Sequence, residues 1–191
     1  AINEIESLAS AHGIDAQVDR RGVFWGASCP MQSGHWDRML ETVARYQIRH
    51  YRVMDGEEIR AGTGAANYVA GVLDTSSALI HPGHLVRGLR RLAIEKGVRI
   101  FEHTAMTELK RGRPPAVVTP RGTVTADKVV LGIYGWSLQV PELRPAIMVI
   151  CTDAVMTQPM PERIAASGWR DYPGLTDSRI FVEAQRTTAD G

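Results

Sequence analysis

The residues best suited to metal or nucleophilic chemistry are six histidines and two cysteines, and their spacing points away from both roles. No two histidines pair at metal-ligand spacing on a helix, so no metal site is expected. Cys29 and Cys151 are too few and too separate for a disulfide framework or a zinc knuckle. Reduced thiols in a cytosolic enzyme are the simplest reading. His81, His84 and His103 could carry protons, but nothing in the surrounding sequence orients them. Turn and helix-start roles account better for His81 and His84, and no catalytic acid or base is assigned. The chain has no P-loop, HExxH helix, CxxC pair or EF-hand loop, and no G-x-S-x-G nucleophile elbow.

Two further groups could in principle hold an anion. Gly62-Thr63-Gly64-Ala65-Ala66-Asn67 opens like the dinucleotide fingerprint G-x-G-x-x-G but lacks the third glycine, and it follows a charged segment rather than a buried strand. The fingerprint needs both features, because pyrophosphate must meet bare backbone at the start of a helix. An ordinary loop is the better reading. Arg87, Arg90 and Arg91 form the densest cationic group. At helical spacing they read as a solvated face rather than an anion site.

Any site must therefore be built by the elements, and the composition allows a packed core to do it. The chain has 191 residues, 44% of them hydrophobic, which suits one domain or one and a half. A net charge of +1 creates no global field for nucleic acid or an anionic membrane. No apolar run is long enough for a transmembrane helix, and no charged-then-apolar leader opens the chain. A cytoplasmic location, with no nucleic-acid or membrane partner, is the expectation.

Apolar residues at Ile2, Ile5, Leu8 and Ala9 predict a helix that Gly13 stops. Residues 22–27 (GVFWGA) read as a strand. Trp36, Met39, Leu40, Val43, Ala44 and Ile48 predict a second amphipathic helix capped by Ser33. One helical turn is expected over 55–61, broken at residues 62–64, with a strand over 68–73. The best-defined unit begins at Pro82, continues through Leu85, Leu89 and Leu92 to Gly97, and passes into a strand over 98–104 (VRIFEHT). That order is half of a β-α-β crossover. A second β stretch is expected over 106–110, and a hairpin flanks Pro120-Arg121-Gly122. Residues 128–133 (KVVLGI) look like a strand buried on both faces. Residues 141–145 read as a linker, 146–156 as a long β-prone run, and 162–166 as a helix. A last strand starts at Ile180, followed by the hairpin-turn signal Asp190-Gly191. A turn with no returning strand leads us to expect an internal portion of a longer protein, with a frayed natural tail as the alternative.

The ordered set His81-Pro82-Gly83-His84-Leu85-Val86-Arg87-Gly88-Leu89, Gly97-Val98-Arg99-Ile100-Phe101-Glu102-His103-Thr104, Gly122-Thr123-Val124-Thr125-Ala126-Asp127-Lys128-Val129-Val130-Leu131 and Gly135-Trp136 resembles the D-amino-acid-oxidase-like (DAO) family of FAD-dependent oxidoreductases. That family includes sarcosine, glycine and γ-glutamylputrescine oxidases. Flanking stretches, Ile14-Asp15-Ala16 with Arg21-Gly22 before and Asp177-Ser178-Arg179, Arg186 and Thr188-Ala189-Asp190-Gly191 after, resemble it too. The resemblance implies an α+β (mixed α/β) fold: a substrate-domain β-sheet with helices, plus part of an FAD-binding domain. On this basis residues 1–78 would belong to the substrate-binding domain, 79–136 to the FAD-binding domain, and 137–191 to the substrate-domain sheet.

It also implies roles for single residues. Ala105, Met106 and Thr107 would lie against the flavin's adenine, though Met106 could equally be core. Gly132, Ile133, Gly135 and Trp136 would lie near the ribose and pyrophosphate, with a core anchor as the other reading of Trp136. Arg186 could pair with a substrate carboxylate or form a structural ion pair. Three departures bear on this. Tyr134 stands where the family usually has a small residue or Asn. Gln185 precedes Arg186 where an aromatic is common. The N-terminal βαβ with its glycine-rich turn is absent, as is the segment that closes over the flavin ring. The implied activity is oxidation of a C–N bond of a small-molecule amine or amino acid by hydride transfer to FAD. The alternatives are a non-catalytic binding or assembly module, or a different flavin or nicotinamide enzyme on the same fold. The chain alone is expected to hold no stable flavin, to be inactive, and to self-associate through open sheet edges.

Overall fold

The computed structural model describes residues 1–171, 174–179 and 182–188. In chain order the helices are α1 (Ile2–Ala11), α2 (Asp37–Arg45), α3 (Gly56–Thr63), α4 (Pro82–Glu95) and α5 (Pro161–Ser167). The strands are β1 (Val23–Ala27), β2 (Tyr51–Asp55), β3 (Ala70–Asp74), β4 (Glu108–Lys110), β5 (Ala116–Thr119), β6 (Gly122–Thr125), β7 (Gly174–Asp177) and β8 (Ala184–Arg186). The chain divides into two compact units, one of Ala1–Gly97 with Thr157–Gly191 and one of Val98–Met156. Helices beside one mixed and one antiparallel sheet make the fold α+β, as the resemblance implied.

The first unit is organised by β1. Its neighbours in the sheet order β2-β3-β1-β7-β8 are β3, antiparallel, and β7, parallel. Strand alternation sends Phe24 to one face, where it meets Met54, Ile59, Tyr68, Leu73 and Leu175. The Phe24 and Tyr68 rings meet edge to face at 5.5 Å. This packing needs two glycines: a Cβ at Gly71 would sit 2.1 Å from the Phe24 ring, and one at Gly26 2.4 Å from Tyr68. Fully burying a side chain such as Phe24 or Met54 contributes about 1.5–3 kcal/mol. A second cluster joins Ala27, Trp36 and Val72.

The helices begin and end for local reasons. The Asp55 carboxylate accepts the Glu58 N–H at 2.9 Å and caps α3. Gly64, at φ 69°, ends that helix in the left-handed region. Pro82 opens α4, and His81 Nδ1 accepts the His84 N–H at 3.2 Å. Gly88 lets α4 lie against Ile14, since a Cβ there would come within 2.3 Å of that side chain. The second unit holds the antiparallel sheet β4-β5-β6 and two 3-10 turns, Tyr134–Gln139 and Arg144–Ala146, with Ser137 and Val140 buried.

Several expectations are corrected. Residues 98–104, 128–133 and 146–156 form no strands, and Val130 is 92% exposed. Their composition suits buried strands, but a strand needs a neighbour for its N–H and C=O groups and cover for its faces. Among the described residues no neighbour is present, so the half-crossover ends at α4. Ser33 does not cap α2; Trp36 holds the cap position without a side-chain cap bond, and its burial against Ala27 and Val72 sets the helix start. The short turn expected at 55–61 is a helix that runs through Gly62 and stops at Gly64. Strands β2 and β7 were not expected. β2 is exposed at three of five positions and so carries little apolar alternation, and β7 is only four residues long. The strand start at Ile180 and the turn at Asp190-Gly191 lie outside the described residues.

Gly64 provides a test of this close packing. A Cβ there would lie 1.7 Å from the Ser167 carbonyl, whereas Gly13, also left-handed at φ 58°, has nothing within 4 Å of such a Cβ. Gly13→Ala should cost about 1 kcal/mol, from backbone conformation alone. Gly64→Ala should cost at least about 3 kcal/mol, because backbone must move as well. Denaturant midpoints of the two variants measure the difference, and equal losses would refute the contact.

Candidate functional site

The glycine pair in Gly62-Thr63-Gly64 lies at the C-terminal end of α3, not the start of a helix. The Gly62 carbonyl accepts N–H groups from Arg170 and Asp171, both at 3.1 Å. A helix end that presents carbonyls disfavours an anion, so these glycines serve packing. Arg91 bonds the His12 and Gly13 carbonyls at 2.9 and 3.2 Å and pairs with Glu95 at 3.5 Å, fastening α4 to the end of α1. His81 caps α4, and His84 Nδ1 lies 3.1 Å from the Asp15 carbonyl. Among the described residues no group of three His, Cys, Asp or Glu side chains could hold a metal ion, and no helix is long and apolar enough to cross a membrane.

The seven residues implied for flavin all lie in the second unit. Ala105, Met106 and Thr107 lead into β4, which is one edge of the three-stranded sheet; Gly132, Ile133, Gly135 and Trp136 come after β6, the other edge. Because β4 and β6 both run antiparallel to β5, the first group enters the sheet at the end opposite to where the second leaves it. The two groups thus attach to the sheet at opposite ends.

Each group is open in a way that suits a nucleotide. Ala105 is exposed and Met106 half-buried, and among the described residues neither donates its backbone N–H to another group. The Thr107 N–H differs, since it is already donated to the Val118 carbonyl at 2.9 Å. A Cβ added at Gly132 would meet nothing within 4 Å, so the backbone there can be approached closely. Trp136 is 70% exposed and is not a core anchor here; its N–H closes a turn onto the Ile133 carbonyl at 3.0 Å. Tyr134 sits at φ 46°, a left-handed conformation that Gly or Asn adopts more easily, and the residue is 93% exposed. The residues present therefore fit an extended nucleotide by openness, with Thr107 helping through the strand it anchors.

Arg186 ends β8, an edge strand exposed at all three positions. Its guanidinium donates to the Ile80 carbonyl at 2.6 Å through Nη1. That acceptor is neutral and orients the fork, and Nε donates to the Thr187 carbonyl at 3.4 Å. The Arg186 charge already acts on the Asp19 carboxyl, which the Arg21 side chain lowers most and Arg186 lowers further. What remains for another group is the unused Nη donors.

Sequence alone does not single out the most tightly bound ionic group. Asp177, at the end of β7, has a fully covered side chain. Its Oδ1 accepts the Glu183 N–H at 3.1 Å and the Arg179 N–H at 3.3 Å, and Oδ2 accepts from the Arg179 guanidinium. That guanidinium also bonds Glu183. Burial pushes the Asp177 carboxyl up, but the Glu183 N–H and both Arg179 contacts more than offset it and hold it below the usual carboxylate range. Burial raises the Tyr68 phenol, and the charges of Asp177 and Glu183 raise it further. The Asp-Ser-Arg run is visible in the sequence, but nothing there marks which aspartate is buried.

Comparison with known proteins bears on the family and the fold of the chain. The family model described as DAO, FAD dependent oxidoreductase, matches residues 1–191. The "Probable oxidoreductase OrdL" of Rhizobium meliloti (strain 1021) is 30% identical over 130 residues, covering 68% of this chain and 30% of that protein. The γ-glutamylputrescine oxidoreductase of Escherichia coli (strain K12) is 27% identical over 179 residues, covering 91% of this chain and 42% of that protein. The crystal structure of L-proline dehydrogenase from P. horikoshii matches 100% of this chain and 51% of its own at a TM-score of 0.75 and 14% identity, a likeness of fold. The chain thus spans from about a third to a half of the length of these relatives.

The Asp177 cluster predicts how acid acts on the fold. Its carboxyl is lowered by folding, so its contribution is complete above the unfolded-chain value of about 3.9 and is lost as pH falls through the lower folded value. Asp177→Asn should cost on the order of 2 kcal/mol at neutral pH, through loss of charged hydrogen bonds. It should also flatten the fall in stability below about pH 4. Urea titrations at several pH values measure both, and an unchanged slope would count against the assignment.

Proposed function

The chain belongs to the DAO family of FAD-dependent oxidoreductases, and from that premise we propose that it is the substrate-facing sheet and part of the flavin-binding region of an enzyme that oxidises a C–N bond of an amine or amino acid. The observation that carries the reading is the match of the whole chain to this family together with a fold match over its full length. The names of the relatives, γ-glutamylputrescine oxidoreductase and L-proline dehydrogenase, support an amine or amino acid as the substrate class. In this reading residues 1–78 and 137–191 serve substrate and 79–136 serve flavin, within a longer cytoplasmic polypeptide.

Bound FAD would supply the hydride acceptor that no side chain offers. The chain's own residues bind and orient. The N–H groups of Ala105 and Met106 are available to adenine, with the half-buried Met106 side chain against the ring. Gly132 allows phosphate close to the backbone, Ile133 and Gly135 continue the same turn, and Trp136 is exposed beside them. Arg186, held by the Ile80 carbonyl, can direct its remaining donors to a substrate carboxylate. Loss of hydride from carbon needs the neutral amine, which apolar walls favour. The exposed apolar residues Met148, Ile150 and Val155 are candidates for those walls once covered. Until then, they and Val130 favour self-association of the 191-residue chain.

The test uses a polypeptide of the relatives' length carrying these residues, loaded with FAD. A panel of amines and amino acids should bleach its flavin absorbance without oxygen, and the 191-residue chain alone should purify colourless. Met106→Asp should weaken FAD binding at least about tenfold, by placing a charge against an apolar ring. Fluorescence titration reads that change. No bleaching by any primary or secondary amine would refute the proposed activity.

A further inference from the structure

The short strand β8 has little of its own to hold it in place. Ala184, Gln185 and Arg186 are all exposed, so no buried apolar face enforces their pairing with β7. Yet the pairing decides what Arg186 does. Arg186 stands opposite Gly174, Gln185 opposite Leu175 and Ala184 opposite Thr176. Successive side chains in a strand point to opposite faces, so a slip of one residue would turn Arg186 to the other face. It would also take the guanidinium away from the Ile80 carbonyl it now contacts at 2.6 Å.

The next pair along the ladder is Asp177 with Glu183, and there the backbone is bonded from both sides. The Asp177 N–H donates to the Glu183 carbonyl at 3.2 Å, and the Glu183 N–H donates to Asp177 Oδ1 at 3.1 Å. Arg179 bridges the two acids, its Nε to Asp177 and its Nη2 to Glu183. At the same end of the strand, the Ser178 hydroxyl donates to the Gly26 carbonyl of central strand β1 at 3.3 Å. A slipped strand would leave a fully covered carboxylate without the N–H of Glu183, and burying an under-satisfied charge is costly.

We infer that Asp177, Arg179 and Glu183 form a latch that fixes the register of β8, which makes Asp177 and Arg179 positioning residues for Arg186. The inference rests on the reading of Arg186 as the group that meets a substrate carboxylate. Neither positioning residue touches substrate; they act by setting the face from which Arg186 projects.

Two measurements on the FAD-loaded, relative-length protein test this. The first compares KM and kcat for a carboxylate-bearing amine and a carboxylate-free amine in Arg186→Met, Arg179→Met and Asp177→Asn. The second is amide hydrogen exchange at residues 184–186. Arg179 is exposed, so Arg179→Met keeps the test usable if Asp177→Asn folds poorly. All three variants should raise KM for the carboxylate-bearing amine by about tenfold or more, the scale of a lost charged hydrogen bond. In the two latch variants, values of kcat, and KM for the other amine, should stay near those of the parent. The two latch variants should also speed exchange at 184–186. If only Arg186→Met moves KM and exchange is unchanged in the latch variants, the latch is overturned and the Arg186 reading stands. If Arg186→Met moves nothing, the Arg186 reading fails. The register claim is then decided by exchange alone: faster exchange sustains it and unchanged exchange overturns it.

Discussion

The position of the Phe24 ring is the constraint on which the first unit depends. It lies in the central strand of the five-stranded sheet and is fully buried among residues from β2, α3, β3 and β7. The ring fits only because Gly71 on the neighbouring strand and Gly26 two residues on have no side chains in the way. Two glycines that weaken strand propensity are retained because they let two aromatic rings pack edge to face. Through β1, residues near the start of the chain hold β7 in parallel register. The chemistry proposed for β8 then hangs on the far side of β7.

This arrangement places a covered charge next to an apolar core. Asp177 comes directly after Leu175 and Thr176, and Leu175 packs in the Phe24 cluster. The strand therefore passes within two residues from hydrophobic packing, which tolerates small sliding, to an ionic lock with directional bonds, which does not. Apolar burial sets where β7 lies in the sheet, and the carboxylate sets the register of β8 beside it. Tyr68 belongs to both regions, with its ring against Phe24 and its phenol raised by burial and by the acids.

Legibility in the sequence tracked the range of the forces involved. Helix α4 was plain because its signals are local: a proline at the start, apolar residues at helical spacing and a glycine past the end. The hairpin of β5 and β6 was equally plain. The five-stranded sheet was only partly visible, since β2 is mostly exposed, β7 is only four residues long, and both draw their stability from neighbours distant in sequence. The strands expected at 98–104 and 128–133 had the right composition, but a sheet needs a partner that composition does not reveal. At the candidate site, the resemblance pointed to Met106, Trp136 and Arg186 as single residues. The Asp177 cluster is not legible in the sequence, because an aspartate followed by Ser-Arg looks like any solvated turn and only burial distinguishes it.

The unpaired segments of the second unit bear directly on how a nucleotide site could form. Phe101, Val130, Met148, Ile150 and Val155 are large, apolar and exposed, and all fall within Val98–Met156. Isolated exposed apolar residues are ordinary, but such a concentration in segments with buried-strand composition is what an incompletely covered sheet region looks like. The residues implied for FAD, Ala105 to Thr107 and Gly132 to Trp136, lie next to these same segments in sequence. In the proposed reading, covering those segments and assembling the nucleotide site would be one structural event, because any partner of 98–104 and 128–133 would also set the reach of the turns that come after them. On that reading the second unit would contribute the turns, and their mutual placement would depend on the neighbours of those two segments.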